Sequence, residues 1–334
     1  MLLLGWTPLF FAVQGTESLS VIRLLIDHGA DQNKADNCGI TPLHIAAERG
    51  SYEVAEFLLS KGAEVDPICK YGETPLHIAA ENGDAKMVKL LLQHNADHGR
   101  LSCGFHTPLT MSLFGSSLEC LEILIEAGAD INADTHLSPL KIAAAQGLAD
   151  CIECLLKAGA KANIPDELGR MPIEIAAFEG RVECVKILFP ATTPLVKYAN
   201  WSIDEIIRNG LTERLREGSK VKAEGDTAFR KKDYIFASTR YTLALTLVPN
   251  DSDLYAKRSL CYLRMGDKEN ALPDAITYRD MQQDLPKSSS EQGAALTLVL
   301  EYGREFEAFM SGLNLGSGSC PTDETDEASR EEHP

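Results

Sequence analysis

Apolar residues along this chain come in short paired blocks separated by polar stretches, and the pairs return about every 33 residues. The first block of each pair opens on a helix-start signal: Thr7-Pro8-Leu9, Thr41-Pro42-Leu43, Thr74-Pro75-Leu76, Thr107-Pro108-Leu109, Ser138-Pro139-Leu140 and Met171-Pro172-Ile173. Successive intervals are 34, 33, 33, 31 and 33 residues. A threonine or serine oxygen can accept a first-turn N–H, and proline suits the next position because its missing N–H is no loss. The second block predicts a second helix at residues 21–26, 54–59, 87–92, 120–125, 151–156 and 184–189. Signals such as Gly29-Ala30, Gly62-Ala63 and Gly128-Ala129 follow, where glycine fits the left-handed residue that closes a helix.

Self-similarity at this period predicts a solenoid. The best-formed copies are Thr41 to Gly50 and Thr74 to Gly83, which share Thr-Pro-Leu-His-Ile-Ala-Ala-Glu. Their alanine pairs leave a slim helix face that a neighbour can approach closely. This pattern resembles the ankyrin repeat, two helices and a projecting β-turn, in about six copies over residues 1–195. The first copy is truncated: the chain opens in mid-repeat, and Leu2, Leu3, Trp6 and Phe11 are expected to be partly exposed. A shortened isoform or gene model is the expected cause.

The cysteines fit the same frame. Val21, Val54, Met87, Cys120, Cys151 and Cys184 occupy one position in successive second helices, so the slot reads as buried and its cysteines as small hydrophobes. Cys151 and Cys154 form a Cys-x-x-Cys without a second cysteine pair, which reads as core rather than a metal or redox site. In the ankyrin pattern, His44 and His77 brace the turn of their own repeat. Phe10, Thr110, Lys141 and Glu174 hold that position elsewhere, so no shared histidine chemistry runs along the array.

The resemblance also implies a concave binding wall made of turn tips and of residues after the alanine pair. Carried over position by position, that wall is Asn37, Ile40, Glu48, Arg49, Lys70, Tyr71, Glu73, Glu81, Asn82, His106, Phe114, Gln146, Phe178 and Glu179. Its mixture of acids, amides and aromatics suits a protein surface.

Beyond Phe189-Pro190 the period breaks. Residues 196–216 read as a linker with a short helix, opened by a Ser202/Glu205 capping box and stapled by Trp201. From Gly218 the period becomes 34, with Gly225, Ala237, Tyr241, Ala244 and Pro249 in the first copy and Tyr255, Tyr262, Ala271 and Ala275 in the second. A third copy, 286–319, keeps Gly293, Leu296 and Phe309 but places Glu305 at a small-residue slot, so it is expected to be the loosest. These are the slots of the tetratricopeptide repeat (TPR), expected over residues 217–316, with a disordered acidic tail at 317–334. The expected fold is all-α, an ankyrin solenoid followed by a three-repeat TPR α-solenoid.

The order of parts resembles a plant family of ankyrin–TPR proteins. The TPR region resembles clamp domains that hold the acidic C-termini of heat-shock chaperones. That clamp uses cations and amides, and its places here hold Lys222, Asp226, Lys257, Lys287 and Glu291. Two acids in a groove meant for carboxylates oppose such a ligand. Pairing of Lys257 with Asp226 and of Lys287 with Glu291 is the favoured reading.

Charge narrows the classes further. The net charge of −17, with no basic stripe, gives no electrostatic footprint for nucleic acid or an anionic membrane. Nine cysteines and an apolar start too short for an export signal point to reduced thiols in the cytoplasm or nucleus. No nucleophile–base pair, metal-ligand spacing or phosphate loop stands out, so neither cofactor nor catalysis is expected. The expected function is a protein–protein adaptor, with a chaperone-tail co-chaperone as the alternative.

Overall fold

The computed structural model describes residues 5–15, 19–132 and 138–282. Every regular element among them is a helix, apart from one isolated bridge between Ser102 and His106. The chain divides into two compact units, residues 1–213 and 214–334.

In the first unit six first helices alternate with six second helices. They are α1 (Pro8–Gln14), α2 (Leu19–Asp27), α3 (Pro42–Glu48), α4 (Tyr52–Ser60), α5 (Pro75–Glu81), α6 (Ala85–Gln93), α7 (Pro108–Phe114), α8 (Leu118–Glu126), α9 (Pro139–Gln146), α10 (Ala149–Lys157), α11 (Pro172–Phe178) and α12 (Val182–Leu188). The odd-numbered helices pack in series, the even-numbered ones form a second layer, and each pair packs internally. Leu43, Leu76, Leu109, Leu140 and Ile173, two residues after each cap, are buried between the layers. Each contributes roughly 1.5–3 kcal/mol. The pairs Ala46-Ala47, Ala79-Ala80, Ala143-Ala144 and Ala176-Ala177 are also buried, which lets neighbouring first helices close up. The cysteine slot is buried at Met87, Cys120, Cys151 and Cys184. At Val21 and Val54 it is only half-buried, and α2 and α4 instead bury the next residue, Ile22 and Ala55. Burial pushes the Cys151 thiol up to about 11, as expected of a core thiol rather than a reactive one.

The histidines do more than brace their own repeat. His77 Nδ1 accepts the Thr74 N–H (3.2 Å) and lies 2.9 Å from Thr74 Oγ1. Its Nε2 reaches the Arg100 and His106 carbonyl oxygens of the next repeat at 3.1 and 3.2 Å. His44 joins Thr41 to the Glu73 carbonyl in the same way. Each ring therefore closes a helix cap and ties two repeats together. Thr110 and Glu174 replace the histidine at the cap, accepting the N–H groups of Thr107 and Met171. The turns between repeats need glycine at Gly39, whose φ is +80° and whose added Cβ would fall 2.9 Å from the Ile68 carbonyl oxygen.

After a 3-10 turn at Phe189–Ala191, Trp201 stacks on Phe189 (5.4 Å) and meets Tyr198 edge-on (5.6 Å). Ser202 accepts the Glu205 N–H, but the Glu205 carboxylate takes the Asn200 N–H instead of completing the expected box. The short helix is corrected too. Helix α13 (Ile203–Arg230) runs for 28 residues and merges it with the first TPR helix. Gly210 and Gly218 are each a close approach inside this helix: an added Cβ would sit 2.5 Å from Ala177 and from Val248 respectively. The second unit continues with α14 (Tyr234–Leu247), α15 (Ser252–Met265) and α16 (Lys268–Gln282). Its core holds Ala237, Tyr241, Ala244, Leu254 and Cys261. Gly225 lies against the Tyr241 ring, where an added Cβ would come within 2.6 Å. The third TPR copy, with Lys287 and Glu291, and the acidic tail lie outside the described residues, as do Leu2 and Leu3. Trp6 is half-buried against Phe10 and Phe11, and Phe11 is exposed.

Candidate interaction surfaces

Two positions recur along the first unit, the residue before each helix cap and the residue ending each first helix. In two repeats they meet. His106 contacts Phe114 edge-on at 5.3 Å, and Arg170 lies over the Phe178 ring at 5.4 Å. Glu73 and Glu81 form the corresponding pair, two like charges. Glu73 is held above the usual carboxylate range, first by burial and then by the Glu81 charge, while His106 pulls the other way. Glu81 ends α5 where α7 comes closest, since an added Cβ on Gly115 would collide with the Glu81 carbonyl. Among the sequence-derived residues, Glu73 thus feels the charges of Glu81 and His106, and His106 in turn touches Phe114.

The remaining wall residues serve different ends. Asn37, Glu48, Arg49, Lys70 and Tyr71 are exposed, while Ile40, Gln146, Phe178 and Glu179 are half-buried. Asn82 donates from Nδ2 to the Glu48 carbonyl (3.1 Å), which ties its side chain to the preceding repeat. The turn tips form a ladder in which the Lys70 N–H donates to Cys38 O and the Cys103 N–H to Tyr71 O. Sequence reasoning missed one arrangement at the end of the array. The buried Glu174 carboxylate accepts from the Tyr198 hydroxyl at 2.7 Å and pairs with Lys197 Nζ at 2.7 Å. The glutamate at the cap-plus-three position was its visible signal; the tyrosine 24 residues on had none.

In the second unit, Lys222 Nζ lies 2.7 Å from Asp251 Oδ2 and 2.9 Å from Asp253 Oδ2. Lys257 Nζ lies 2.9 Å from Asp226 Oδ1 and 3.1 Å from Asp253 Oδ2. The Tyr241 hydroxyl donates to Asp226 at 2.8 Å. Two lysines therefore face three aspartates of their own chain. Burial opposes charge on Lys222, but Asp251 and Asp253 outweigh it and hold its pKa up; Asp253 is correspondingly held down by both lysines despite its burial. Asp251 and Asp253 were not foreseen, although Asp251 follows the proline signal as the N-cap of α15. Next to Lys257 in sequence, Arg258 grips the buried Asp274 through two bonds of 2.7 Å.

Comparison with known proteins follows the same division. The family "Ankyrin repeats (3 copies)" matches residues 2–69, 64–135 and 131–197. The family "Serine/threonine-protein kinase BSK1-like, TPR repeats" matches residues 196–293. No catalytic domain is among the matched families. The human ASB11 ankyrin repeat domain superposes with a TM-score of 0.54 at 25% identity, covering 61% of this chain and 98% of that one. The heat shock protein sti1 homologue of Schizosaccharomyces pombe is 36% identical over 94 residues, 28% of this chain and 16% of its own. The Hsp70-Hsp90 organizing protein 3 of Arabidopsis thaliana is 31% identical over 150 residues, 36% of this chain and 27% of its own. The E3 ubiquitin-protein ligase TTC3 of Rattus norvegicus is 30% identical over 113 residues, 34% of this chain and 6% of its own. The chain thus spans less than a third of each of these curated relatives. Among the described residues no helix is long and apolar enough to cross a membrane.

Proposed function

We propose, from the premise that this chain belongs to the ankyrin-repeat proteins, that it is a non-catalytic adaptor whose ankyrin wall binds a protein partner. One observation supports the reading: the buried two-layer core leaves aromatic and acidic side chains, Tyr71, Glu81 and Phe114 among them, exposed at the expected wall positions. The order of its parts, ankyrin repeats then a TPR region, supports a place among the plant ankyrin–TPR proteins, acting in the cytoplasm or nucleus. Affinity capture from a matching cell extract tests the adaptor reading. Capture by the intact chain that is lost on joint substitution of Tyr71 and Phe114 by alanine supports it. Capture unchanged by that substitution sinks it.

The co-chaperone reading rests on the sti1-like and Hsp70-Hsp90 organizing relatives of the TPR region. The self-pairing of Lys222 and Lys257 weighs against it, because an incoming carboxylate must displace internal carboxylates already seated at 2.7–3.1 Å. Titration of a labelled chaperone C-terminal peptide against the intact chain separates the two. Micromolar binding lost in Lys222→Ala establishes the co-chaperone reading; no binding removes it.

A further inference from the structure

The Glu73/Glu81 pair is electrostatically unfinished. Two pairs along the wall are complementary: His106 meets Phe114 edge-on, and Arg170 covers Phe178. At Glu73/Glu81 the same two positions hold like charges instead, and Glu73 is lifted first by burial and then by the Glu81 charge, against a weak Cys69 Sγ–H donation at 3.9 Å and the pull of His106. Neither carboxylate has an ion-pair partner among the described residues. Beside them stand Phe114, 41% exposed, and His106, whose Nδ1 is closed off from solvent without a hydrogen-bond partner. Tyr71, 66% exposed, lies two residues from Glu73.

We propose that this patch seats an arginine side chain presented by an extended segment of a partner protein. The inference rests on the adaptor reading and names the partner's chemistry. Arginine fits the observations better than other groups. A planar guanidinium can satisfy carboxylates through several N–H groups at once and can also lie against an aromatic ring. Lysine offers a compact charge with less to gain from the rings. A carboxylate or phosphate is repelled by both glutamates. Charge complementarity thus selects the occupant, and the exposed rings extend the contact to apolar flanks.

The test uses the full chain and immobilised hexapeptide pools, random except for a fixed central Arg, Lys, Gln or Glu. Charged hydrogen bonds of this kind correspond to roughly tenfold to hundredfold in affinity. The Arg pool should therefore bind at least tenfold more tightly than the Gln pool, with the Glu pool weakest and the preference shrinking as salt rises. In the Glu73→Gln/Glu81→Gln variant that preference should collapse. The variant relieves a repulsion, so its melting temperature should equal or exceed that of the parent, which separates loss of the seat from loss of the fold. Equal binding of all four pools, removed by Tyr71→Ala/Phe114→Ala, overturns the arginine seat and leaves the adaptor reading standing. An Arg preference that survives in the double glutamine variant, or no binding by any pool, also overturns the seat.

Discussion

Asp66 is the clearest place where one atom carries a measurable consequence. Its counterparts Asn33, Asn132 and Asn163 each reach across to the next repeat with both ends of a side-chain amide. Their Oδ1 atoms accept the N–H groups of Glu64, Lys161 and Thr193 at 2.8–2.9 Å. Their Nδ2 groups point to the carbonyl oxygens of Gly62, Gly159 and Ala191 at 3.5, 3.2 and 3.5 Å. Asp66 keeps the first half, accepting the Asp97 N–H at 3.0 Å. It cannot make the second, because a carboxylate has no donor for the carbonyl of Asn95, the residue at the place of Gly62 and likewise left-handed at φ +62°. Its Oδ1 is buried without a partner. Burial raises its pKa, and the Asp97 charge adds to the rise. Asp66→Asn should restore the missing donor. A recovered hydrogen bond and a relieved unpaired oxygen are together worth about 1–2 kcal/mol. For an array of this size that is about 2–8 °C in melting temperature. Circular dichroism melts of the parent and variant from pH 7.5 down to pH 4 measure it. The sign follows from the raised pKa: the folded state disfavours the ionised carboxylate, so the parent's handicap is full above that pKa and fades as acid protonates Asp66. The gap between the proteins should therefore be widest at neutral pH and close on acidification. A variant no more stable than the parent at pH 7.5, or a gap indifferent to pH, refutes the reasoning.

Three further outcomes are expected. Burial holds His44 and His77 below their ordinary value of 6.5, so the neutral rings lend stability that is complete above that pH and lost as pH falls below it; urea midpoints measured from pH 7.5 to 5.5 should decline, and less so in the His44→Asn/His77→Asn variant. Gly115→Ala should cost about 1–3 kcal/mol by driving a methyl into the Glu81 carbonyl, read as a lower chemical-denaturation midpoint of the ankyrin array. Glu174→Ala should cost about 2–3 kcal/mol, because it strands the Met171 N–H and the Tyr198 hydroxyl, and Tyr198 should then titrate closer to an ordinary phenol in ultraviolet difference spectra.

The repeat length, the helix starts and the buried alanine and leucine positions were all legible in sequence, because each is set by local chemistry. A threonine or proline acts within its own turn, and a periodic apolar residue declares its face whatever it packs against. Gly210 shows where that legibility stops. Within its own helix it is a poor residue, and only the approach of Ala177, 33 positions earlier, explains why the helix continues through it. The histidines are similar: the Thr-Pro-Leu-His motif announced a cap, but not that Nε2 would hold a carbonyl 29 residues away.

The candidate surfaces divide along the same line. Sequence alone determined which residues stand beside the regular spacing of the repeats, and so named Glu73, Glu81, His106 and Phe114 singly. Tertiary structure decided that Glu73 is raised by burial and by the Glu81 charge while His106 turns to Phe114, and that Lys222 is met by Asp251 and Asp253 rather than left free. The physical reason is range. Capping and propensity act over a few residues along the chain, whereas the worth of a charge depends on burial and on partners that the fold brings from about 30 residues away.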